Sequence, residues 1–361
     1  MSGGVDSSVA AARLVAAGLD VVGVTLHLWD YPDDGSVKGR CCAPEDVHDA
    51  RRVADFLGIP HYTFDRKQRF AEEVVDPFVD AYLAGITPSP CVRCNRGVKL
   101  RELGALRRQL GAAKVATGHY ARLERTSRGP ELLRGADPAK DQSYFLHMLG
   151  PEVLAWLDFP LGSATKAEVR QEALQLGLPG ASKGESQELC FVPSGRYDAF
   201  VDERAQGRIR PGPLLDDRGR VVGEHDGVHR FTAGQRKNLG VALGYRAYVL
   251  EVDGASGSVT LGRRESARMR ELQLASVSLR HPEPRPFRCD IVPRYRARPA
   301  PGWVEPSADG HARVRFDEPL ELVAPGQYAV FYHGDRVLGG GVIARTGPDA
   351  TCALPEVEVR P

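Results

Sequence analysis

Ser2-Gly3-Gly4-Val5-Asp6-Ser7-Ser8 constrains the fold more than any other stretch of this chain. Two adjacent glycines let the backbone come close to an anion, serine hydroxyls and free N–H groups can donate to it, and the helix that follows points its positive end the same way. The combination reads as a phosphate cradle. It lacks the Gly-Lys-Ser/Thr ending of the common P-loop, so lysine-assisted transfer of a terminal phosphate is not what it advertises. Asp6, inside the loop, suits magnesium held against a pyrophosphate. The plain alternative is a glycine-rich turn that caps a helix. A loop of this kind sits between a buried strand and a helix, yet only Met1 stands in front of it. The strand expected there would be the middle of the sheet, so the sequence predicts a start placed too late or a compromised nucleotide site.

A chain of 361 residues has room for two or three domains, with apolar residues enough for real cores. No stretch approaches the length of a membrane span and no signal peptide precedes the loop, so a cytoplasmic protein without a membrane partner is expected. Seven cysteines, with Cys91 and Cys94 in a Cys-x-x-Cys pair, then point to redox or metal chemistry rather than to a disulfide scaffold. A net charge of +1 means that any RNA surface must be a local patch.

Along the chain, strand and helix patterns alternate. A helix over 5–17 ends at Gly18 and leads to an apolar strand over 21–26; a helix over 45–57 and a strand over 61–64 repeat the period. A helix over 69–84 precedes Thr87-Pro88-Ser89-Pro90, which must be extended because each proline disfavours helix at the residue before it. A basic helix then runs to about Leu110, followed by a strand over 114–117. This alternation predicts an α/β domain with a doubly wound parallel sheet and a ligand site at the carboxyl ends of its strands, where Gly118-His119-Tyr120 emerges. Helices near 152–157 and 166–176 form a more polar extension over 151–205, within a catalytic domain of 1–205. Beyond Gly207 short apolar runs and turn residues predict two small, mostly β domains over 206–270 and 271–361, the last barrel-like.

Reactive sulfur is the second signal. Cys94 is expected where a basic helix starts, with the helix N-terminus, Arg93 and Arg96 stabilising its thiolate. If the fold brings Cys190 opposite, the pair can exchange thiol and disulfide, or one can carry a persulfide whose outer sulfur the other helps to release. Cys-x-x-Cys is also half of a zinc site, but the second pair would have to come from the adjacent Cys41 and Cys42. Cys91, Cys94 and Cys190 could hold an iron–sulfur cluster with one iron open to sulfide, and buried, inert cysteines remain the bland alternative.

Taken together, residues 2–8 resemble the loop of the pyrophosphate-loop ATPases, and the chain as a whole resembles the tRNA-specific 2-thiouridylase family. The likeness rests on that loop, Thr87-Pro88-x-Pro90, Cys94-Asn95, Thr117-Gly118-His119-Tyr120, Lys140-Asp141-Gln142-Ser143-Tyr144-Phe145, Cys190-Phe191, Gly234-Gln235-Arg236-Lys237, Arg294-Tyr295-Arg296, Pro325-Gly326-Gln327 and Gly339-Gly340-Gly341. It implies that Cys94 is the nucleophile and Cys190 the cysteine that receives persulfide sulfur from a donor protein. Ser2, Gly3, Gly4, Val5, Asp6, Ser7, Leu26 and Gly118 would bind ATP; Ser89, Pro90 and Cys91 would face the target base. His119, Lys140, Asp141, Gln142, Arg294, Tyr295 and Gln327 would touch tRNA. His119 and the 140–142 turn each have a plain structural alternative.

The implied reaction places AMP on the C2 oxygen of the wobble uridine, with magnesium neutralising the departing pyrophosphate, and replaces that oxygen by sulfur, with or without a transient Cys94–Cys190 disulfide. This chain departs from the resemblance at Cys91, where the family commonly carries aspartate, and so the cluster alternative gains weight. Basic runs at Arg93, Arg96, Lys99, Arg101, Arg107 and Arg108, and again at Arg280, Arg285, Arg288, Arg294, Arg296 and Arg298, fit a folded RNA as well as they fit solvated surface. Two other readings stay open: another ligase with the same loop, and an RNA-binding protein that has lost catalysis.

Overall fold

The computed structural model describes residues 1–30, 44–184, 189–192, 195–281 and 285–344. Cys41, Cys42, Cys352 and the stretch 186–188 before Cys190 lie outside them. The chain divides into two compact units: one of Met1–Val75, Cys91–Arg196 and Asp335–Val337, the other of Asp76–Pro90, Tyr197–Gly334 and Leu338–Pro361.

The first unit is α/β. Helix α1 (Val5–Ala16) is followed by β1 (Gly23–His27), α2 (Pro44–Leu57) and β2 (His61–Asp65). The residues expected to form one helix over 69–84 are α3 (Lys67–Phe70), a π-helical turn (Ala71–Val75) and α4 (Asp76–Leu83), the last belonging to the second unit. Next come α5 (Pro90–Arg93), a second π-helical turn (Cys94–Lys99), α6 (Leu100–Gln109) and the short strand β3 (Val115–Ala116). A hairpin that the sequence reading did not anticipate follows, β4 (Ala121–Thr126) with β5 (Gly129–Arg134). Then α7 (Pro151–Leu154), β6 (Leu157–Asp158) and α8 (Lys166–Gln175) complete it.

Among the described residues its parallel strands pair as β1 with β2 and β3 with β6. Met1 runs beside β1: its amino group donates to the Val24 carbonyl and its own carbonyl accepts from Thr25 Oγ1 at 2.7 Å. Alanine and valine at helical spacing make α1, and Val9, Ala10 and Ala12 bury against Leu161, Val169 and Ala173 on and before α8. Arg13 fastens the same two helices, with Nη2 2.6 Å from Glu172 Oε2. Gly18, at φ +74, releases the chain from α1 as expected of a helix-ending glycine.

The second unit joins α4 to α9 (Tyr197–Arg204) through a stack of Tyr82 on Tyr197 with ring centres 4.6 Å apart. Strands β7 (Gly212–Leu215), β8 (Val221–His225), β9 (Tyr248–Asp253) and β10 (Ser258–Gly262) form a four-stranded sheet in the order β8-β7-β10-β9 over a core of Leu214, Val249, Val259 and Leu261. After it, β11 (Arg268–Leu279), β12 (Phe287–Val292), β13 (Ala300–Pro306), β14 (Ala312–Glu321), β15 (Tyr328–His333) and β16 (Arg336–Ile343) run in the order β11-β14-β13-β12-β15-β16. Pairing of β11 with β16 closes them into a barrel. Closure needs a glycine: Gly339 lies at φ +147, and a Cβ there would run into the Ser278 carbonyl on β11. Alternating inward residues such as Ile291, Val304, Val314, Phe316 and Phe331 fill the interior.

Candidate active site

Short-range chemistry builds the phosphate loop. Gly3 sits at φ +68, where any Cβ would collide with the Asp46 carbonyl on α2, so the position requires glycine. Ser7 Oγ accepts from Ser2 N at 3.0 Å and donates to the Gly4 carbonyl at 3.1 Å; Ser8 Oγ donates to the same carbonyl at 3.0 Å. Gly4 caps α1 without any side-chain hydrogen bond, which leaves the N–H groups of the first turn aimed at the loop. Gly118 closes against that turn, since a Cβ on it would lie 2.9 Å from both Asp6 C and Ser7 N. The carboxylate of Asp6 accepts from the Tyr120 hydroxyl at 2.7 Å and pairs with Lys166 Nζ at 2.6 Å. Val5 is buried at the start of α1, and Leu26 lies on β1 opposite Phe64.

Two of the thiols lie on the helical segment that Pro90 starts. Cys94 is buried, and Cys91 and Cys190 are half-buried. Pro90 starts the helix, which is continuous through Arg93 (φ −61, ψ −45) into the turn that Cys94 begins. Cys91 therefore occupies the N-terminal turn, and Cys94 stands one turn further in than the sequence reading placed it. Burial pushes the Cys91 thiol up, with Lys99 opposing. A neutral thiol there is a poor substitute for a carboxylate. Phe191, next to Cys190, packs edge-on against Phe70 and Trp29 with ring centres 5.7 and 6.3 Å away. Phe70 belongs to α3, which with its following turn packs on the Cys94–Lys99 turn: a Cβ on Gly97 would lie 2.8 Å from Glu73 Oε2. Helix α3 thus packs both on Phe191, the neighbour of Cys190, and on the turn that Cys94 begins. Beneath it, burial favours the neutral form of Glu102, but Arg66 and Arg69 outweigh burial and hold its carboxyl below the usual range.

Lys99 is felt by both neighbourhoods. Its charge acts on Cys91 and also on His119, the residue after Gly118. Burial and then Lys99 push the His119 imidazole down to about 3, so it is neutral at physiological pH. Its Nδ1 lies 2.7 Å from Thr117 Oγ1.

Known proteins match this arrangement along its length. The sequence profile of the tRNA methyl transferase HUP domain covers residues 1–194, that of the tRNA methyl transferase PRC-barrel domain 198–263, and that of the aminomethyltransferase beta-barrel domain 269–343. The chain is 61% identical to the tRNA-specific 2-thiouridylase MnmA of Sorangium cellulosum over 95% of its own length and 90% of that protein's. It is 48% identical to the MnmA of Geotalea uraniireducens over 95% and 93% of the two chains. The chain belongs to the tRNA-specific 2-thiouridylase family.

For this family member the other expected contacts fall in different settings. Asp141 is buried and fully engaged: Oδ1 accepts from Gly135 N and Ser143 N, each at 3.0 Å, and Oδ2 from Ser143 Oγ and Arg134 Nη1 at 3.1 and 3.2 Å. Gln142 grips Tyr120 twice, through its amide and its side chain, each at 2.9 Å. Gln142 therefore braces the tyrosine that holds Asp6. Lys140 is half-buried in the turn before them. Arg294 is exposed beyond β12, and Tyr295 beside it lies under the Arg296 guanidinium, 5.2 Å from the ring centre. Ser89 is half-buried and Pro90 buried; Gln327 is half-buried after Gly326 in the second unit.

Among the described residues no three His, Cys, Asp or Glu side chains gather to hold a metal ion. Among the described residues Cys91, Cys94 and Cys190 do not gather as a cluster would require. Asp6 is a single carboxylate, which suits magnesium that arrives on the nucleotide's phosphates.

Sequence reasoning missed Lys166 and Asn95. Lys166 opens α8, whose start was announced by the capping box of Thr165 and Glu168, but its meeting with Asp6 spans 160 residues. Asn95, next to Cys94, is buried with no hydrogen-bond partner for Oδ1 among the described residues. A buried orphan acceptor costs about 1–3 kcal/mol, a cost that a donor on a bound substrate would relieve.

Proposed function

We propose that this chain is a tRNA uridine 2-sulfurtransferase that adenylates the C2 oxygen of the wobble uridine with ATP and replaces it by sulfur. The observation that supports it is the continuity of one site: the loop turn touches Gly118, His119 follows, and Lys99 links His119 to the helix of Cys91 and Cys94. Nucleotide and sulfur chemistry would therefore meet on one base. The base would leave its stack to enter, which a loop nucleotide allows at low cost.

The uridine C2 oxygen attacks the α-phosphorus of ATP and pyrophosphate departs, so that AMP makes the oxygen a good leaving group; magnesium held beside Asp6 would neutralise the departing charge. A persulfide on Cys190, charged by a donor protein, attacks C2 with its outer sulfur, and AMP leaves with the oxygen. Cys94 thiolate then attacks the Cys190 sulfur; the S–S electron pair stays on the base as its new thiocarbonyl. A Cys94–Cys190 disulfide forms, and a dithiol reductant resets it. Alternatively Cys94 releases the outer sulfur first, as hydrosulfide, which then attacks C2. Arg294, Tyr295, Lys140 and the exposed arginines of both units would hold the tRNA.

The test is nucleoside mass spectrometry on unmodified tRNA incubated with the protein, magnesium-ATP and a persulfide donor, with and without air. 2-Thiouridine and AMP in equal amounts are expected in both. Absence of 2-thiouridine in both would refute the assignment, whereas formation only without air, from sulfide alone, would move it to cluster chemistry.

A further inference from the structure

Residues 87–90 read Thr-Pro-Ser-Pro, so their only backbone donors are the amides of Thr87 and Ser89. Whatever fixes the path of this stretch must mainly donate to its carbonyls. Gln327 does so. Its Nε2 donates to the Thr87 carbonyl at 2.9 Å and reaches the Pro88 carbonyl at 3.3 Å. In return Thr87 N donates to the Pro325 carbonyl at 2.9 Å, and Thr87 Oγ1 donates to Thr232 Oγ1 at 3.1 Å. Between these contacts Gly326 lies at φ +88, where a Cβ would drive into the Ile86 side chain and sit 3.0 Å from the Thr87 carbonyl. The clamp is rooted in the barrel: Ile343 N donates to the Gln327 carbonyl at 2.8 Å, and Gly326 N to the Ile343 carbonyl at 2.9 Å. All of these residues lie in the second unit, and the clamped stretch ends at Pro90, whose next residue is Cys91.

We infer that Gln327 is a positioning residue for the thiol helix, clamping the Thr87–Pro88 backbone so that α5 starts in one direction and presents Cys91 and Cys94 to the target base. The role rests on the reaction proposed above, because only there does the aim of α5 limit turnover. It also separates two functions of the carboxamide. A contact with tRNA would govern binding, whereas a clamp governs the catalytic step.

The full chain with Gln327→Glu and with Gln327→Met tests this. Glutamate keeps the shape but cannot donate to a carbonyl; methionine keeps the length without charge. In both variants amide exchange at Thr87 and Ser89 and alkylation at Cys91 should quicken about tenfold, the change expected for roughly one net hydrogen bond lost. Exchange in β13 should stay as in the parent, which shows that the barrel is folded. In 2-thiouridine formation kcat should fall by a similar factor, with KM for tRNA unchanged. Unaltered exchange and alkylation in a folded variant, or a rise in KM alone, overturns the clamp. Should the parent protein make no 2-thiouridine, the reaction assignment falls, and exchange with alkylation still decides the clamp.

Discussion

The phosphate loop and the thiol segment of the first unit are built on opposite plans. The former is knit by the protein itself: Gly3 and Gly118 admit close backbone approach, Ser7 closes the loop, and Asp6 is held from two sides by Tyr120 and Lys166. At the thiols Asn95 Oδ1 has no hydrogen-bond partner among the described residues, and burial pushes the Cys91 thiol up and keeps it neutral. A preorganised anion site costs little reorganisation when phosphates arrive. In the proposed reaction the thiols take up sulfur, attack and pair in turn, and so need room to change partners. The contrast assigns rigidity to activation and latitude to transfer.

Removing a thiol should break that contrast most severely. Cys94→Ser and Cys190→Ser are each expected to lower 2-thiouridine formation about a thousandfold or more, as loss of a nucleophile does. Both should leave tRNA affinity, measured by filter binding, within about twofold of the parent, since no phosphate-neutralising cation is lost. Substantial thiolation by either variant would contradict the persulfide scheme. At the rigid loop Gly118→Ala should act next most strongly. A methyl 2.9 Å from the backbone of Asp6 and Ser7 forces the loop open, with an expected loss of about 1–3 kcal/mol in stability and a comparable loss in ATP binding. Calorimetric titration with ATP would reveal it; parent-like affinity would mean that the loop tolerates displacement and is not preorganised.

Lys166→Met probes the same loop more gently. The Asp6 carboxylate is partly open to solvent, so its lost ion pair should change stability by no more than about 1 kcal/mol. ATP-dependent adenylation, followed by release of pyrophosphate, should slow about tenfold or more if the ammonium shares its charge with the phosphates. An unchanged rate would restrict Lys166 to bracing Asp6.

Legibility in the sequence followed distance along the chain. The loop, Gly18 and the strand alternation of the second unit were readable because glycine, serine and period-two patterns act over a few residues. The helix that holds Cys94 was misjudged by one turn, although Pro90 at its first position is the residue that favours that place. The β4–β5 hairpin escaped because its turn at Ser127 and Arg128 carries no strong type signature. Pairings such as Lys166 with Asp6 and Gln327 with Thr87, 160 and 240 residues apart, have no local signal at all. Asp141 and Gln142 show the converse: a polar turn that resemblance reads as surface is engaged within the protein.

His119 stands where the two plans meet, and its effect should be the smallest. Burial, reinforced by Lys99, pushes the ring from the ordinary 6.5 down to about 3. Above about pH 6.5 the imidazole is neutral in the folded and the unfolded chain, and its titration contributes no penalty. As the pH falls below that value the unfolded chain takes up the proton first, so stability declines until the pH passes about 3 and the folded ring is protonated too. His119→Asn removes this proton sink from the unfolded state. The fall in Tm between about pH 7 and about pH 5 should be smaller in the variant than in the parent, by a degree or two. At the same time tRNA binding by the parent should show no step between about pH 6 and about pH 8 attributable to this ring, because a neutral imidazole meets RNA as a hydrogen-bonding partner and not as a cation. Equal acid sensitivity in the two proteins would place the His119 ring in water, and the path from the loop through Gly118 to Lys99 would then have to be drawn without it.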